Sequence, residues 1–389
     1  MTFAKRMSRL GTETAFEVLA RARALEAKGR KVVHLEIGEP DFDTPRFIRT
    51  AAANALEEGF THYGPSAGLP EFRKAIADKW RADRGIPCDA DNVVVTPGAK
   101  PIMFFVMLAL LEEGDEVLYP NPGFPIYESV ANFLNAKAVP LHLREGNEFD
   151  LDLHELEKKV TGRTKLLVIN SPHNPTGAVL KPETVEGIAA LARKHSFYIL
   201  ADEIYAGLQY EGKHLSIASL PGMAERTIVL DGFSKTYAMT GWRLGFGIME
   251  KQLAVHVARL MTNSNSCTAT FVQKAGQAAL EGPQGEVRAM VEEFRQRRDA
   301  IHQGLNALPG VKCFKPRGAF YVFPNITGTG LKSGELANLL LNEAGVACLS
   351  GTAFGAHGEG YLRLSYANSL ENIQTALHSI GEFLTVRAK

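Results

Sequence analysis

The sequence predicts an α/β protein in two parts: a large, mostly parallel sheet covered by helices, followed by a smaller α/β unit. Three observations predict it. Strand-like apolar runs at 92–96, 116–119, 164–170, 197–201, 227–230 and 245–249 alternate with helical patterns such as 69–81. A charge-rich helical pattern at 284–308 then reads as a connector, and strand-like runs at 319–323 and 361–365 lie beyond it. With 389 residues the chain is longer than one average domain and has material for a large core.

Ahead of this alternation, residues 14–27 place apolar side chains at helical spacing and stop at Gly29, and 32–35 reads as a short strand. This is an N-terminal arm. Lys plus Arg and Asp plus Glu both total 43, so no net field favours nucleic acid or an anionic membrane, and any positive site is local. Cys88, Cys267, Cys313 and Cys348 are far apart, with neither a paired-cysteine nor a zinc-ligand spacing, and are expected to be buried, reduced thiols. The first ten residues hold no apolar leader core, and the longest apolar run, 101–111, is shorter than the roughly 20 residues of a membrane span. A soluble cytoplasmic protein without a metal is the expectation. No internal repeat is present.

Lys235 carries the clearest chemistry. It stands in Gly232-Phe233-Ser234-Lys235, with Gly241-Trp242-Arg243 following. Small residues leave room for a bulky cofactor against the backbone, and Arg243 is a permanent cation able to fork onto a phosphate. An amine beside a phosphate site suggests a Schiff base. Asp202 ends an apolar run at the carboxyl end of an expected strand, where open sheets place ligand groups, and Tyr205 lies three residues on. Thr96-Pro97-Gly98-Ala99-Lys100-Pro101 joins a strand to an apolar helix, where free N–H groups and the helix dipole suit an anion. Arg363, inside the run 361–365, offers a guanidinium fork to a carboxylate.

The stretch from Gly232 to Gly245 resembles the lysine signature of class I and II aminotransferases, pyridoxal 5′-phosphate enzymes of fold type I. Further pieces follow in the family's order: Leu35-Glu36-Ile37-Gly38-Glu39-Pro40-Asp41-Phe42-Asp43-Thr44-Pro45, Tyr63-Gly64-Pro65, Pro97-Gly98-Ala99-Lys100, Asn174-Pro175-Thr176-Gly177, Asp202-Glu203-Ile204-Tyr205 and Arg363. Together they span nearly the whole chain. The resemblance implies a seven-stranded, mostly parallel sheet in a large domain, 46–285, and a small domain, 286–389, completed by residues 1–45.

It also implies roles. Pyridoxal phosphate would link to Lys235, which serves as anchor and as base, while Asp202 keeps the pyridine nitrogen protonated. Tyr205 and Asn174 would bond the phenolic oxygen and lower the pKa of the Schiff base. Asn174 also builds a turn before Pro175. Gly98, Ala99, Ser234 and Arg243 would hold the phosphate; Lys100 either joins them or is an ordinary exposed lysine. The family commonly has a hydroxyl where Gly232 stands, so one phosphate contact is expected to be missing. Phe124, in Asn121-Pro122-Gly123-Phe124-Pro125, would stack on the pyridine face or else is a core phenylalanine. Tyr63 would reach the phosphate of a neighbouring subunit, making a homodimer with shared sites. Arg363 and the Gly38 N–H would grip the substrate carboxylate, with Asn174 beside them.

The activity so implied moves the amino group of an L-amino acid, aspartate or alanine, to a 2-oxo acid such as 2-oxoglutarate by a ping-pong mechanism. The rivals are another fold type I enzyme, such as a carbon-sulfur lyase, and a regulator that binds the cofactor without turnover. The pocket for the substrate side chain is expected from Ile37, the N-terminal arm, residues 263–270 and the partner subunit. Gly64-Pro65-Ser66-Ala67-Gly68 spells a hydrolase nucleophile elbow, but 60–63 is a poor buried strand. Residues 207–213 fit most of a P-loop, yet His214 stands where a magnesium-binding hydroxyl is needed, and Gly245-Phe246-Gly247 lacks the third glycine of a dinucleotide fingerprint.

Overall fold

Backbone pairing divides the strands of the computed structural model, which describes residues 2–387, among three sheets. A short strand, β1 (Val33–His34), precedes the large sheet. That sheet contains β2 (Val93–Thr96), β3 (Glu116–Asn121), β4 (Lys137–His142), β5 (Thr164–Asn170), β6 (Tyr198–Asp202), β7 (Thr227–Gly232) and β8 (Gly245–Ile248). Its order is β2-β8-β7-β6-β5-β3-β4, and only β8 runs antiparallel to its neighbours. The seven-stranded, mostly parallel sheet is as expected.

β2, β3, β7 and β8 are buried along their whole length, which is why they read as continuous apolar runs rather than alternating ones. Successive residues serve opposite faces. Val94 and Ile228 pack with helices Lys100–Leu110 and Lys251–Ser264, whereas Val93, Val95 and Val229 pack with helices Arg46–Glu57, Pro70–Arg84 and Thr270–Glu281. Within this sheet, the strand missed from the sequence is β4. It lies at the sheet edge, pairing only with β3, and there Pro140 costs no ladder bond and polar residues remain wetted.

The remaining strands are β9 (Tyr321–Val322), β10 (Val346–Ala347), β11 (Leu349–Ser350) and β12 (Leu362–Ser365). β12 lies between β11 and β9, antiparallel to both, while β1 pairs in parallel with β10. That last pairing sews the N-terminal arm, a helix over Ala15–Glu26, to the C-terminal part of the chain. The expected connector is the helix Gly285–Asn306. The helix expected over 69–81 runs one turn further, Pro70–Arg84, and stops at Gly85, whose φ of 70° gives a left-handed cap.

Cys88, Cys313 and Cys348 are buried free thiols, but Cys267 is only partly buried, because it lies in the exposed turn after helix Lys251–Ser264. Residues 60–63 form no strand and Ser66 sits in a turn, which removes the nucleophile elbow. Among the described residues no helix is long and apolar enough to cross a membrane, and no cluster of His, Cys, Asp and Glu is built to hold a metal.

Candidate active site

The carboxyl ends of β2, β3, β5, β6 and β7 open onto one crevice, the place where an open α/β sheet leaves its loops free to meet a ligand. A cavity of about 550 Å³ fills it. Gly38, Ala99, Lys100, Phe124, Asn174, Asp202, Tyr205, Ser234, Lys235, Arg243 and Arg363 all line it, although they are spread over most of the chain. Two expected residues do not. Gly98 sits behind Arg243, and Tyr63 stands away from the cavity with 90 % of its surface exposed.

Lys235 follows β7 by three residues and donates from Nζ to the Gly38 carbonyl over 2.6 Å. Burial pushes its pKa down to about 8, with Arg363, Lys100 and Arg243 adding repulsion and Glu39 opposing. A lysine so placed is a neutral nucleophile for much of its time at mildly basic pH.

Asp202 is the last residue of β6 and is buried. Burial raises its pKa to about 6, against the Tyr127 hydroxyl at 2.6 Å and the Ile204 N–H at 3.2 Å, which favour the carboxylate. Beside it in sequence, Glu203 takes part in a buried ion network behind the cavity. Arg84 reaches Glu203 at 2.5 Å and Asp231 at 2.8 Å, and Ser216 donates to Glu203 over 2.5 Å. Tyr127 and Arg84 were not legible as site residues, since nothing in their local sequence points toward Asp202.

At the opposite wall, Ala99 caps the helix Lys100–Leu110; Pro101 has no N–H and the Ile102 N–H goes to the Ala99 carbonyl, which leaves the Ala99 and Lys100 N–H groups free. A Cβ on Gly98 would run into the Arg243 guanidinium, and one on Gly245 would run into the Ala99 backbone. At Gly232 a Cβ would meet Gly245 Cα and the Leu244 carbonyl at 3.1 Å. A hydroxyl-bearing side chain at Gly232 would need β7 and β8 to part by a few tenths of an ångström. Arg243 itself holds φ of 55°, a conformation of order 1 kcal/mol in cost for a residue with a side chain. Arg243, Ser234 and the free helix N–H groups line a cradle that fits a phosphate.

Arg363 lies on β12 with 4 % of its surface exposed. One Nη donates to the Glu36 carbonyl, the other to Asn174 Oδ1 at 3.4 Å, and its Nε has no partner. The rings of Tyr321 and Phe354 lie at 4.5 Å and 5.0 Å from the guanidinium. A buried guanidinium with an unused N–H is poised for an anion, because leaving it unpaired is costly. Asn174, accepting through Oδ1, keeps its amide protons for another acceptor.

Glu13, Ala15, Phe16 and Ile37 bring the N-terminal arm and its neighbour to the cavity, as expected. The Lys100 ammonium pairs with Glu13 and lies 5.3 Å from the centre of the Phe124 ring, which is itself partly exposed to the cavity. No residue of 263–270 lines the cavity of the single chain: Asn263 and Ser264 end the helix Lys251–Ser264 and point their side chains into its last turn.

A model of the family "Aminotransferase class I and II" matches residues 30–380. The chain belongs to that family. It is 44 % identical to the aspartate aminotransferase of Pyrococcus abyssi over 92 % of this chain and 93 % of the relative. Identity to aromatic-amino-acid aminotransferase 2 of Thermococcus litoralis is 42 %, covering 91 % and 92 %. The aspartate aminotransferase of Thermus thermophilus solved with maleate superimposes with a TM-score of 0.94 at 37 % identity, covering 98 % of this chain and 99 % of that one. This aminotransferase uses pyridoxal phosphate and moves an amino group from an amino acid to a 2-oxo acid. The lysine, the phosphate cradle and the unsatisfied arginine are the parts such a cofactor and substrate need.

Proposed function

We propose that this aminotransferase takes an acidic donor, aspartate first, and passes its amino group to 2-oxoglutarate in a ping-pong cycle. The observation that carries this reading is the pair Lys100–Glu13. A cation inside the substrate cavity has as its partner a carboxylate from the arm that lines the same cavity. The distal carboxylate of aspartate can take the place of Glu13, while the other carboxylate goes to Arg363. The relatives named aspartate aminotransferase point the same way.

Bound pyridoxal phosphate supplies a carbonyl that joins to amines and a ring that accepts an electron pair. The rest falls to the protein. Lys235 would anchor the cofactor, and its neutral Nζ would take the proton from the substrate Cα. Asp202 keeps a proton on the ring nitrogen, and the Tyr205 hydroxyl and the Asn174 amide donate to the ring oxygen. Ala99 and Lys100 N–H groups, Ser234 and Arg243 hold the phosphate, with Gly98 leaving room for Arg243. Phe124, on the cavity wall, would cover one ring face. Arg363 and the Gly38 N–H hold the α-carboxylate.

The large domain we assign to 46–285 carries the cofactor residues, and the small domain, 286–389 with 1–45, carries Gly38 and Arg363. We further propose a cytoplasmic homodimer in which Tyr63 reaches the neighbouring copy's phosphate; the nearly full exposure of this aromatic side chain in the single chain supports it. Purified protein screened with aspartate, alanine and phenylalanine against 2-oxoglutarate tests the donor. Faster 2-oxo acid formation from aspartate supports the reading. Preference for alanine overturns the acidic donor, and release of ammonia in place of amino transfer overturns the cycle.

A further inference from the structure

Tyr321 lies on β9, far in sequence from every motif around Lys235, and its hydroxyl is 2.7 Å from that of Tyr205. Both phenols are buried. Tyr321 packs so closely on Gly38 that a Cβ there would collide with the hydroxyl, and its ring faces the Arg363 guanidinium at 4.5 Å. The phenol is thus held from three sides.

Each hydroxyl has a single proton, so the pair has a direction. The cation on the Tyr321 ring withdraws electron density and makes Tyr321 the more acidic phenol, hence the better donor. We propose that Tyr321 is a positioning residue: its O–H donates to Tyr205, turning the Tyr205 proton into the cavity and strengthening it as a donor. The inference rests on the reading that Tyr205 serves the ring oxygen of the cofactor. A chain of two phenols gives that oxygen a stronger donor than one alone, because donating and accepting in series polarises the middle hydroxyl. Gly38 has its second function here: no other residue leaves space for the Tyr321 hydroxyl at that point.

The test replaces Tyr321 by Phe, which removes the hydroxyl and keeps the ring beneath Arg363. Visible absorbance of the cofactor-loaded protein is titrated against pH. A weaker Tyr205 donor stabilises the negative ring oxygen less, so the nitrogen joined to Lys235 retains its proton to higher pH. The midpoint of Tyr321→Phe is expected to rise by about 0.5–1 unit. In a Tyr205→Phe background the same substitution is expected to leave the midpoint unmoved, since Tyr321 acts only through Tyr205. An unchanged midpoint with Tyr205 present, or an equal shift with Tyr205 absent, overturns the proposal. Loss of all pH-dependent visible absorbance on Lys235, already in the unsubstituted protein, removes the lysine reading itself and this one with it.

Discussion

The Tyr127 hydroxyl donates to Asp202 Oδ2 across 2.6 Å, from a helix, Ile126–Phe133, that begins just after Phe124. If Asp202 faces the protonated ring nitrogen, as proposed, the carboxylate needs this help. Burial alone drives Asp202 toward the neutral acid, and the Tyr127 hydrogen bond opposes it.

Replacing Tyr127 by Phe is therefore expected to raise the Asp202 pKa and weaken cofactor retention. A hydrogen bond to a charged group is worth about 1.5–3 kcal/mol, so the dissociation constant for pyridoxal phosphate should rise tenfold or more. Titration of the apoprotein with the cofactor measures it, and an unchanged constant would show that Asp202 needs no such support.

Lys235 offers a pH test on the apoprotein. Only the neutral amine attacks an aldehyde, and the neutral fraction grows as pH rises through a pKa of about 8. The rate of cofactor capture, followed by absorbance, is expected to climb between pH 6 and pH 8 by roughly the tenfold per unit of a single titration and to level off above. Borohydride reduction should then tag Lys235, and Lys235→Ala should capture nothing reducible.

Exchange of Lys100 for Met separates donor types. The activity with aspartate is expected to fall by roughly tenfold to a hundredfold in kcat/KM, in line with loss of one charge-assisted contact, while alanine is affected little. Equal losses for both donors would return Lys100 to the phosphate.

Removing Arg84 strikes at the ion network behind the site. Arg84→Met leaves the buried Asp231 carboxylate without its cation and leaves Glu203 only the His214 imidazole at 3.1 Å, a change that costs about 3–5 kcal/mol in comparable buried pairs. Urea unfolding should show the loss, and adding Glu203→Gln with Asp231→Asn should recover part of it.

His173 should make the fold acid-sensitive. It is buried, with Nδ1 at 2.8 Å from Thr176 Oγ1 and Nε2 unpartnered, and burial pushes its pKa down to about 3. The unfolded chain takes up a proton below about 6.5 while the native state does not. Stability is thus complete above that pH and falls toward the native value of about 3, by at most about 1.4 kcal/mol per unit. Melting temperatures of His173→Asn between pH 4 and pH 7 should show a shallower acid slope than the unsubstituted protein; an identical slope would assign the acid loss to other groups.

Much of the site was legible before any coordinates, and particular residues show why. Asp202 and Thr96 end buried strands and Lys235 follows one by three residues, so strand, turn and helix signals reside within a few neighbouring residues. Their place at one sheet end then follows from parallel topology. By contrast β4 escaped notice because an edge strand needs no continuous apolar run, and Cys267 was misjudged because a single cysteine carries no burial signal of its own.

Local order in the chain determined the alternation of strands and helices, the glycine-rich turns, and the placing of Asp202, Lys235 and Arg243 at strand ends and turns, with Arg363 inside a strand. Tertiary structure alone decided their partners: Tyr127 is 75 residues from Asp202, Tyr321 is 116 from Tyr205 and Glu13 is 87 from Lys100. The physical reason is range. Periodicity and turn chemistry act over a few residues, whereas a hydrogen bond between distant side chains exists only once strand order and helix packing have brought their backbones together.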